Sequence, residues 1–82
     1  MATVSARTLD LIGLKCPLPV LRTRKALASM AAGATLEVTT SDPLALIDIP
    51  HLLRETGDPL LSQHVESGVA RFLVRKGGVS GQ

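Results

Sequence analysis

The sequence has few of the residue types that form disulfides or aromatic stacking surfaces. Its 82 residues include one cysteine, one phenylalanine, and no tryptophan or tyrosine. A single cysteine cannot form an internal disulfide, which argues against a cross-linked secreted miniprotein and favours a reducing, cytoplasmic location. Without tryptophan or tyrosine the chain lacks the rings on which bases stack, so RNA binding is a weak hypothesis.

The chain also lacks the longer patterns that mark membranes, nucleotides and metals. No apolar run approaches the roughly 20 residues that span a bilayer, and residues 1–11 contain no apolar signal-peptide region. No glycine-rich phosphate-binding motif occurs. One cysteine and the separated His51 and His64 do not have the spacing of a structural zinc site. We therefore expect no membrane contact, no cofactor and no metal.

What the chain does have is an aliphatic composition suited to one small domain. Hydrophobic residues make up 45% of the sequence, and the formal net charge is only +2, too small a bias to imply nucleic-acid binding. We expect a single domain over residues 1–82 with an ordered core of about 8–77 and a thin aliphatic interior. The tail "GGVSGQ" is expected to be disordered.

Hydrophobic periodicity and turn residues predict the element order β-α-β-α-β-β. The predicted strands are 8–12, 34–40, 60–67 and 69–76, and the predicted helices are 16–32 and 41–57. A helix between the first two strands makes them parallel through a right-handed crossover, and the last two form a hairpin at Gly68. The fold class is therefore α+β, a two-layer sandwich in which two helices cover one face of a four-stranded mixed sheet.

Each predicted helix contains a residue that conflicts with an ideal helix. Arg24 projects into the apolar face of the first helix and must extend to solvent or meet a carboxylate. That face is formed by Val20, Leu21, Leu27, Ala28 and Ala31. The second helix, opened by Asp42 and closed by Gly57, contains Pro50, which lacks an N–H donor and predicts a kink or restart near Asp48.

The only cysteine lies at the predicted start of the first helix. "KCPLP" places Cys16 at the N-cap and Pro17 at the first helical position, and Pro17 and Pro19 remove two of the backbone donors there. The N–H groups of Leu18 and Val20 would then face the sulfur. Helix N-termini and nearby cations lower the pKa of a thiol.

The charges near Cys16 in the sequence are almost all positive. Asp10 is the only acid before residue 26, whereas the bases there are Arg7, Lys15, Arg22, Arg24 and Lys25. We interpret Cys16 as an exposed thiol in an electropositive setting, presented by Lys15, Pro17 and Pro19. The competing interpretation is a small buried hydrophobe, because free cysteines are often buried.

An exposed thiol without a second cysteine favours a carrier over a stand-alone reductase. Any disulfide or persulfide step must be completed by another molecule, because no resolving cysteine exists. Hydrolytic chemistry would need a base beside Cys16, and the sequence does not place His51 or His64 there.

Three stretches of the sequence resemble the TusA/SirA-like sulfur-carrier family, which has a Cys-Pro-x-Pro motif at a helix start. They are "LDLIGLKCPLPVLRTRKAL", "GATLEVTTSDPLALIDIP" and "FLVRKGG", within about residues 9–78. The resemblance implies that Cys16 accepts sulfane sulfur as a persulfide from a cysteine desulfurase or rhodanese-like donor and relays it to an acceptor protein. Family members serve tRNA thiolation, molybdenum-cofactor assembly or sulfur oxidation. Such a protein is a sulfurtransferase-type carrier rather than a stand-alone enzyme.

The resemblance also suggests where partners dock. Arg24 and Lys25 match basic positions of the family's first helix, which would contact an acidic partner surface. Asp42 matches the family's Asp-Pro turn, at the same end of the sheet as the motif cysteine, and capping the second helix is its competing structural role. Leu18 replaces a glutamate that some members carry. A non-catalytic regulatory or protein-interaction module with a redox-sensitive thiol remains the alternative function.

Overall fold

The computed structural model describes residues 6–77 and has the predicted α+β element order. The elements are β1 Ala6–Leu11, α1 Leu18–Ala28, β2 Thr35–Thr40, α2 Ala45–Thr56, β3 Leu60–Glu66 and β4 Val69–Arg75. Within residues 6–77, neither helix has the length and apolar character needed to cross a membrane. The predicted disorder of the tail concerns residues that lie almost entirely outside the described range.

The four strands form one mixed sheet in the order β1-β2-β4-β3. β1 and β2 are parallel, whereas β4 is antiparallel to both β2 and β3. Val38 at the centre of β2 lies opposite Leu9 on one side and Phe72 on the other. Because β1 and β2 run in the same direction, both end at the same edge of the sheet. The loops that follow them, residues 12–17 and 41–44, therefore become neighbours.

The core lies between one face of the sheet and the two helices. Alternate residues of the two central strands are fully or almost fully buried, namely Leu36, Val38, Ala70, Phe72 and Val74, which confirms the predicted alternation. Leu27 of α1 and Ile49 and Leu53 of α2 belong to the same cluster. Burying each such aliphatic side chain contributes about 1.5–3 kcal/mol.

The predicted apolar face of α1 is partly wrong. The buried residues are Pro19, Thr23, Ala26 and Leu27, whereas Leu21, Ala28 and Ala31 are exposed. The error comes from Thr23, which counts as polar in a sequence pattern. Its hydroxyl donates to the carbonyl of Pro19 at 2.7 Å, so the polar group is satisfied inside the helix and the rest of the side chain can be buried.

α2 runs without a break through Pro50. Of the expected kink or restart near Asp48, the restart is not observed, since one helix spans Ala45–Thr56. The proline removes a single donor, and the helix is held on both sides of it by buried Ile49 and Leu52. The predicted end at Gly57 is confirmed by its left-handed φ of 84° and by its N–H, which donates to the carbonyl of Leu53.

Candidate functional site

Cys16 lies in the turn between β1 and α1 and is exposed. Its peptide bond to Pro17 is cis, and the N–H of Leu18 closes the turn by donating to the carbonyl of Lys15 at 2.9 Å. α1 therefore begins at Leu18 with Pro17 as its N-cap. The prediction that Cys16 is the N-cap is wrong by one residue. The N–H of Leu18 is also engaged in the turn rather than directed at the sulfur.

Two hydrogen bonds connect the cysteine loop to the loop that follows β2. The N–H of Gly13 donates to Oγ of Ser41 at 2.9 Å, and the N–H of Cys16 donates to Oδ2 of Asp42 at 2.6 Å. Oδ1 of Asp42 accepts from the N–H of Leu44 at 3.1 Å. Asp42 thus joins the cysteine to the first turn of α2, although the N-cap of that helix is Leu44 rather than Asp42. Parallel pairing of β1 and β2 makes these bonds possible.

A second carboxylate contacts the sulfur itself. Sγ of Cys16 donates to Oδ2 of Asp48, one turn into α2, at 3.5 Å. Partial desolvation raises the pKa of the Cys16 thiol, and the hydrogen bond to Asp48 and the charges of Asp48 and Asp42 raise it further. The expected electropositive setting is therefore wrong at the sulfur, where the charged side chains that act on the thiol pKa are Asp48 and Asp42.

Three of the basic residues counted in the sequence, Arg7, Arg24 and Lys25, lie away from the sulfur. Nη2 of Arg24 pairs with Oε1 of Glu55 at 3.5 Å. Of the two alternatives predicted for this arginine, extension to solvent or contact with a carboxylate, the structure shows the contact with a carboxylate. Arg24 is six residues beyond Leu18, about 9 Å along the helix. Lys25 is exposed in the last turn of α1, and Nη1 of Arg7 donates to Oγ of Ser29. These three cations are near the cysteine in the sequence, but the contacts of Arg7 and Arg24 are made with other residues and not with the sulfur.

Exposed aliphatic side chains are concentrated in the segments that carry the thiol and its two carboxylates. We call them the apolar rim: Ile12, Leu18, Leu21, Leu44 and Ile47. Ile47 is 68% exposed although it is next to Asp48. This group was not predicted from the sequence, and its member Leu21 was expected in the buried face of the first helix. The sequence contains one indication of this group. At the start of each helix, two apolar residues three positions apart lie outside the buried stripe, Leu18 with Leu21 and Leu44 with Ile47.

The histidines take no part in this site. Nε2 of His51 pairs with Glu55 at 3.4 Å, and Nε2 of His64 pairs with Glu66 at 3.3 Å. No group of three or more His, Cys, Asp or Glu side chains within residues 6–77 is arranged to hold a metal ion. The chemistry of the site therefore depends on one thiol and two carboxylates.

Comparison with known proteins gives consistent similarities. The family model described as "Sulfurtransferase TusA" matches residues 7–76. The sulfur carrier protein TusA of Allochromatium vinosum is 40% identical over 68 residues, which cover 83% of this chain and 90% of that protein. A chain from Neisseria meningitidis serogroup A is 43% identical over 72 residues, covering 88% and 97% of the two chains.

A solved structure agrees with the fold described above. The crystal structure of a SirA-like protein from Desulfitobacterium hafniense has a TM-score of 0.77 to this chain at 26% identity. The superposition covers 87% of this chain and 97% of that one. The family match includes Cys16, Asp42 and Asp48, the three residues that meet at the site.

Proposed function

Because the chain belongs to the sulfurtransferase TusA family, we propose that it is a sulfur carrier whose Cys16 holds sulfane sulfur as a persulfide. The observation that carries this proposal is the exposed thiol in the Cys-Pro-x-Pro turn, fixed through its own backbone by Asp42. A relay between proteins needs a sulfur that another active site can reach. The turn presents Sγ at the molecular surface instead of enclosing it.

The proposed loading step is an exchange between two sulfur atoms. Thiolate Sγ attacks the outer sulfur of a donor persulfide, the new Sγ–S bond forms, and the S–S bond of the donor breaks. The donor leaves as a thiolate and ends with the proton that left Cys16. Sulfane sulfur keeps its oxidation state, so no oxidant or reductant is consumed. Delivery repeats the step with an acceptor thiol as the nucleophile.

The partners follow from what this chain does not supply. It has one cysteine, so a second protein must provide the sulfane sulfur and a third must receive it. We propose a cysteine desulfurase or a rhodanese-type protein as donor. The acceptor belongs to tRNA thiolation, molybdenum-cofactor assembly or sulfur oxidation. The apolar rim is the main docking surface in this proposal, and Arg24 and Lys25 contribute from the side of α1.

Intact-mass spectrometry tests the proposal directly. After incubation with a cysteine desulfurase and cysteine, we expect the protein to gain the mass of one sulfur atom, and reductant should remove it. Cys16→Ser is the matched control and should gain none. A rhodanese with thiosulfate serves as the second donor class. Sulfur uptake by the serine variant, or no uptake by the wild type from either donor class, contradicts the proposal.

A regulatory interaction module is the second candidate, and the apolar rim favours it. Five exposed aliphatic side chains around one end of the sheet would bind a partner whether or not sulfur is transferred. In that case Cys16→Ser should keep both partner binding and the cellular phenotype. Loss of the phenotype with binding intact would favour the carrier instead.

A further inference from the structure

The hydrogen bond between Cys16 and Asp48 involves the atom that would react. Oδ2 of Asp48 lies 3.5 Å from Sγ, and Asp48 is half-buried in the first turn of α2. Asp42, in the loop before α2, accepts from the backbone N–H of Cys16, so the position of Sγ relative to Asp48 is set by two contacts, one from that loop and one from α2. The carboxylate is held near the sulfur by the fold and does not depend on a flexible loop.

We propose that Asp48 sets the pH at which Cys16 becomes nucleophilic, by accepting a hydrogen bond from the thiol and holding its proton on Sγ. A carboxylate can accept this bond only while the sulfur is protonated, and it repels the thiolate once the proton leaves. The raised pKa of Cys16 is consistent with this geometry. The inference refines the proposed role of Cys16 as a persulfide carrier.

The charged groups around the sulfur come from three segments. Asp48 belongs to α2, Asp42 belongs to the loop before it, and Lys15 precedes the cysteine in its own loop. Within residues 6–77, no Lys, Arg or His side chain forms an ion pair with Asp42 or Asp48. The arginine of α1 that reaches α2, Arg24, pairs with Glu55. The negative charge beside Sγ is therefore not neutralised by a neighbouring side chain.

The consequence is that the Cys16 thiol is protected from oxidation and alkylation while the carrier has no partner bound. Oxidation and alkylation proceed through the thiolate, so a proton held on Sγ slows both. Persulfide loading also requires the thiolate, and the proton must leave Sγ before the Sγ–S bond forms. Asp48 thus slows persulfide loading and, by the same effect, slows the reaction of Cys16 with unselective oxidants and alkylating reagents.

Alkylation of Cys16 by iodoacetamide, followed from neutral to alkaline pH, tests the role of Asp48. For Asp48→Asn we expect the midpoint of the pH–rate profile to move to lower pH. A tenfold gain in thiolate raises the rate only roughly threefold, because less basic thiolates are weaker nucleophiles. We therefore expect a roughly threefold faster reaction at neutral pH for such a gain in thiolate, and faster oxidation by hydrogen peroxide.

Glu55→Gln is the matched control, since Glu55 is an acid of the same helix that contacts Arg24 and His51 instead of the sulfur. It should keep the wild-type profile. Asp48→Ala removes the carboxylate with a strong helix former and serves if the asparagine variant folds poorly. Profiles of both Asp48 variants that overlay the wild type would overturn the inference. Alkylation needs no sulfur donor, so this failure is distinct from failure of persulfide uptake.

Discussion

At the scale of single residues, Asp42 determines where the cysteine loop lies. Its two oxygens accept from the N–H groups of Cys16 and Leu44, so Asp42→Ala removes both bonds at once. We expect a loss of roughly 1–2 kcal/mol in the free energy of unfolding, as for a lost capping residue. Urea denaturation measures this loss, and amide exchange at Cys16 should become faster. Asp10→Ala, which loses one local bond to Ile12, should leave the exchange at Cys16 unchanged.

The same residues show how far a sequence can define the site. The position of Cys16 in an exposed turn before a helix could be predicted from the two prolines, because proline is favoured at the start of a helix. Its electrostatic setting could not be predicted by counting nearby charges. Asp42 and Asp48 are 26 and 32 positions from Cys16, and only the chain path brings them to the sulfur.

At the scale of elements, the turn after β1 depends on a left-handed glycine. Gly13 has φ of +90°, and an added Cβ would meet no atom within 4 Å, so Gly13→Ala tests backbone conformation alone. We expect a loss of roughly 1–2 kcal/mol in the free energy of unfolding, the usual cost of this conformation for a residue with a side chain. Because the N–H of Gly13 also bonds Ser41, we expect altered alkylation kinetics at Cys16 as well.

Gly33→Ala is the matched variant for this prediction. Gly33 has φ of +88° and equal space for a Cβ, but it precedes β2 and lies at the opposite end of the sheet from the cysteine loop. Thermal unfolding should show similar losses for the two variants, and only Gly13→Ala should change the reactivity of Cys16. Equal reactivity in both variants would mean that the turn does not position the thiol.

The elements differed in how well their sequence patterns predicted them. β2 and β4 alternate strictly between buried and less buried residues, and this period of two is unambiguous over six or seven residues. In α1 the buried stripe includes Pro19 and Thr23, which a hydrophobicity pattern does not place in a core. Thr23 could be recognised as buried only once its bond to the carbonyl of Pro19 was known.

At the scale of the whole molecule, the parallel pair of β1 and β2 creates the site. Both strands end at one edge, and each is followed by a loop and a helix start, so the thiol, the two carboxylates and the apolar rim meet there. The parallel pairing of the first two strands could be predicted from the β-α-β pattern, and with it the proximity of the loops that follow them. The side-chain contacts between the two loops depend on how the elements pack together, and hydrophobic periodicity does not encode this packing.

The apolar rim gives a prediction about partner docking that involves this entire end of the molecule. We expect the double variant Leu21→Ser and Ile47→Ser to lower kcat/KM for persulfide loading by about tenfold, because each exposed aliphatic side chain that a donor buries contributes about 1 kcal/mol or less. Both residues are exposed, so folding stability should change little. Stopped-flow alkylation by a small reagent should match the wild type, since the hydrogen bond from Sγ to Asp48 involves neither side chain.

Leu61→Ser is the control, because this exposed aliphatic residue lies near the start of β3, at the opposite end of the sheet from the cysteine loop. If docking uses the rim, this control should load at the wild-type rate. A larger loss in the β3 variant than in the rim variant would place the donor on the sheet edge instead. The donor would then have to reach Cys16 from the β3 side of the sheet, across β4 and β2. In the strand order β1-β2-β4-β3 this is the longest approach to the cysteine loop, which follows β1.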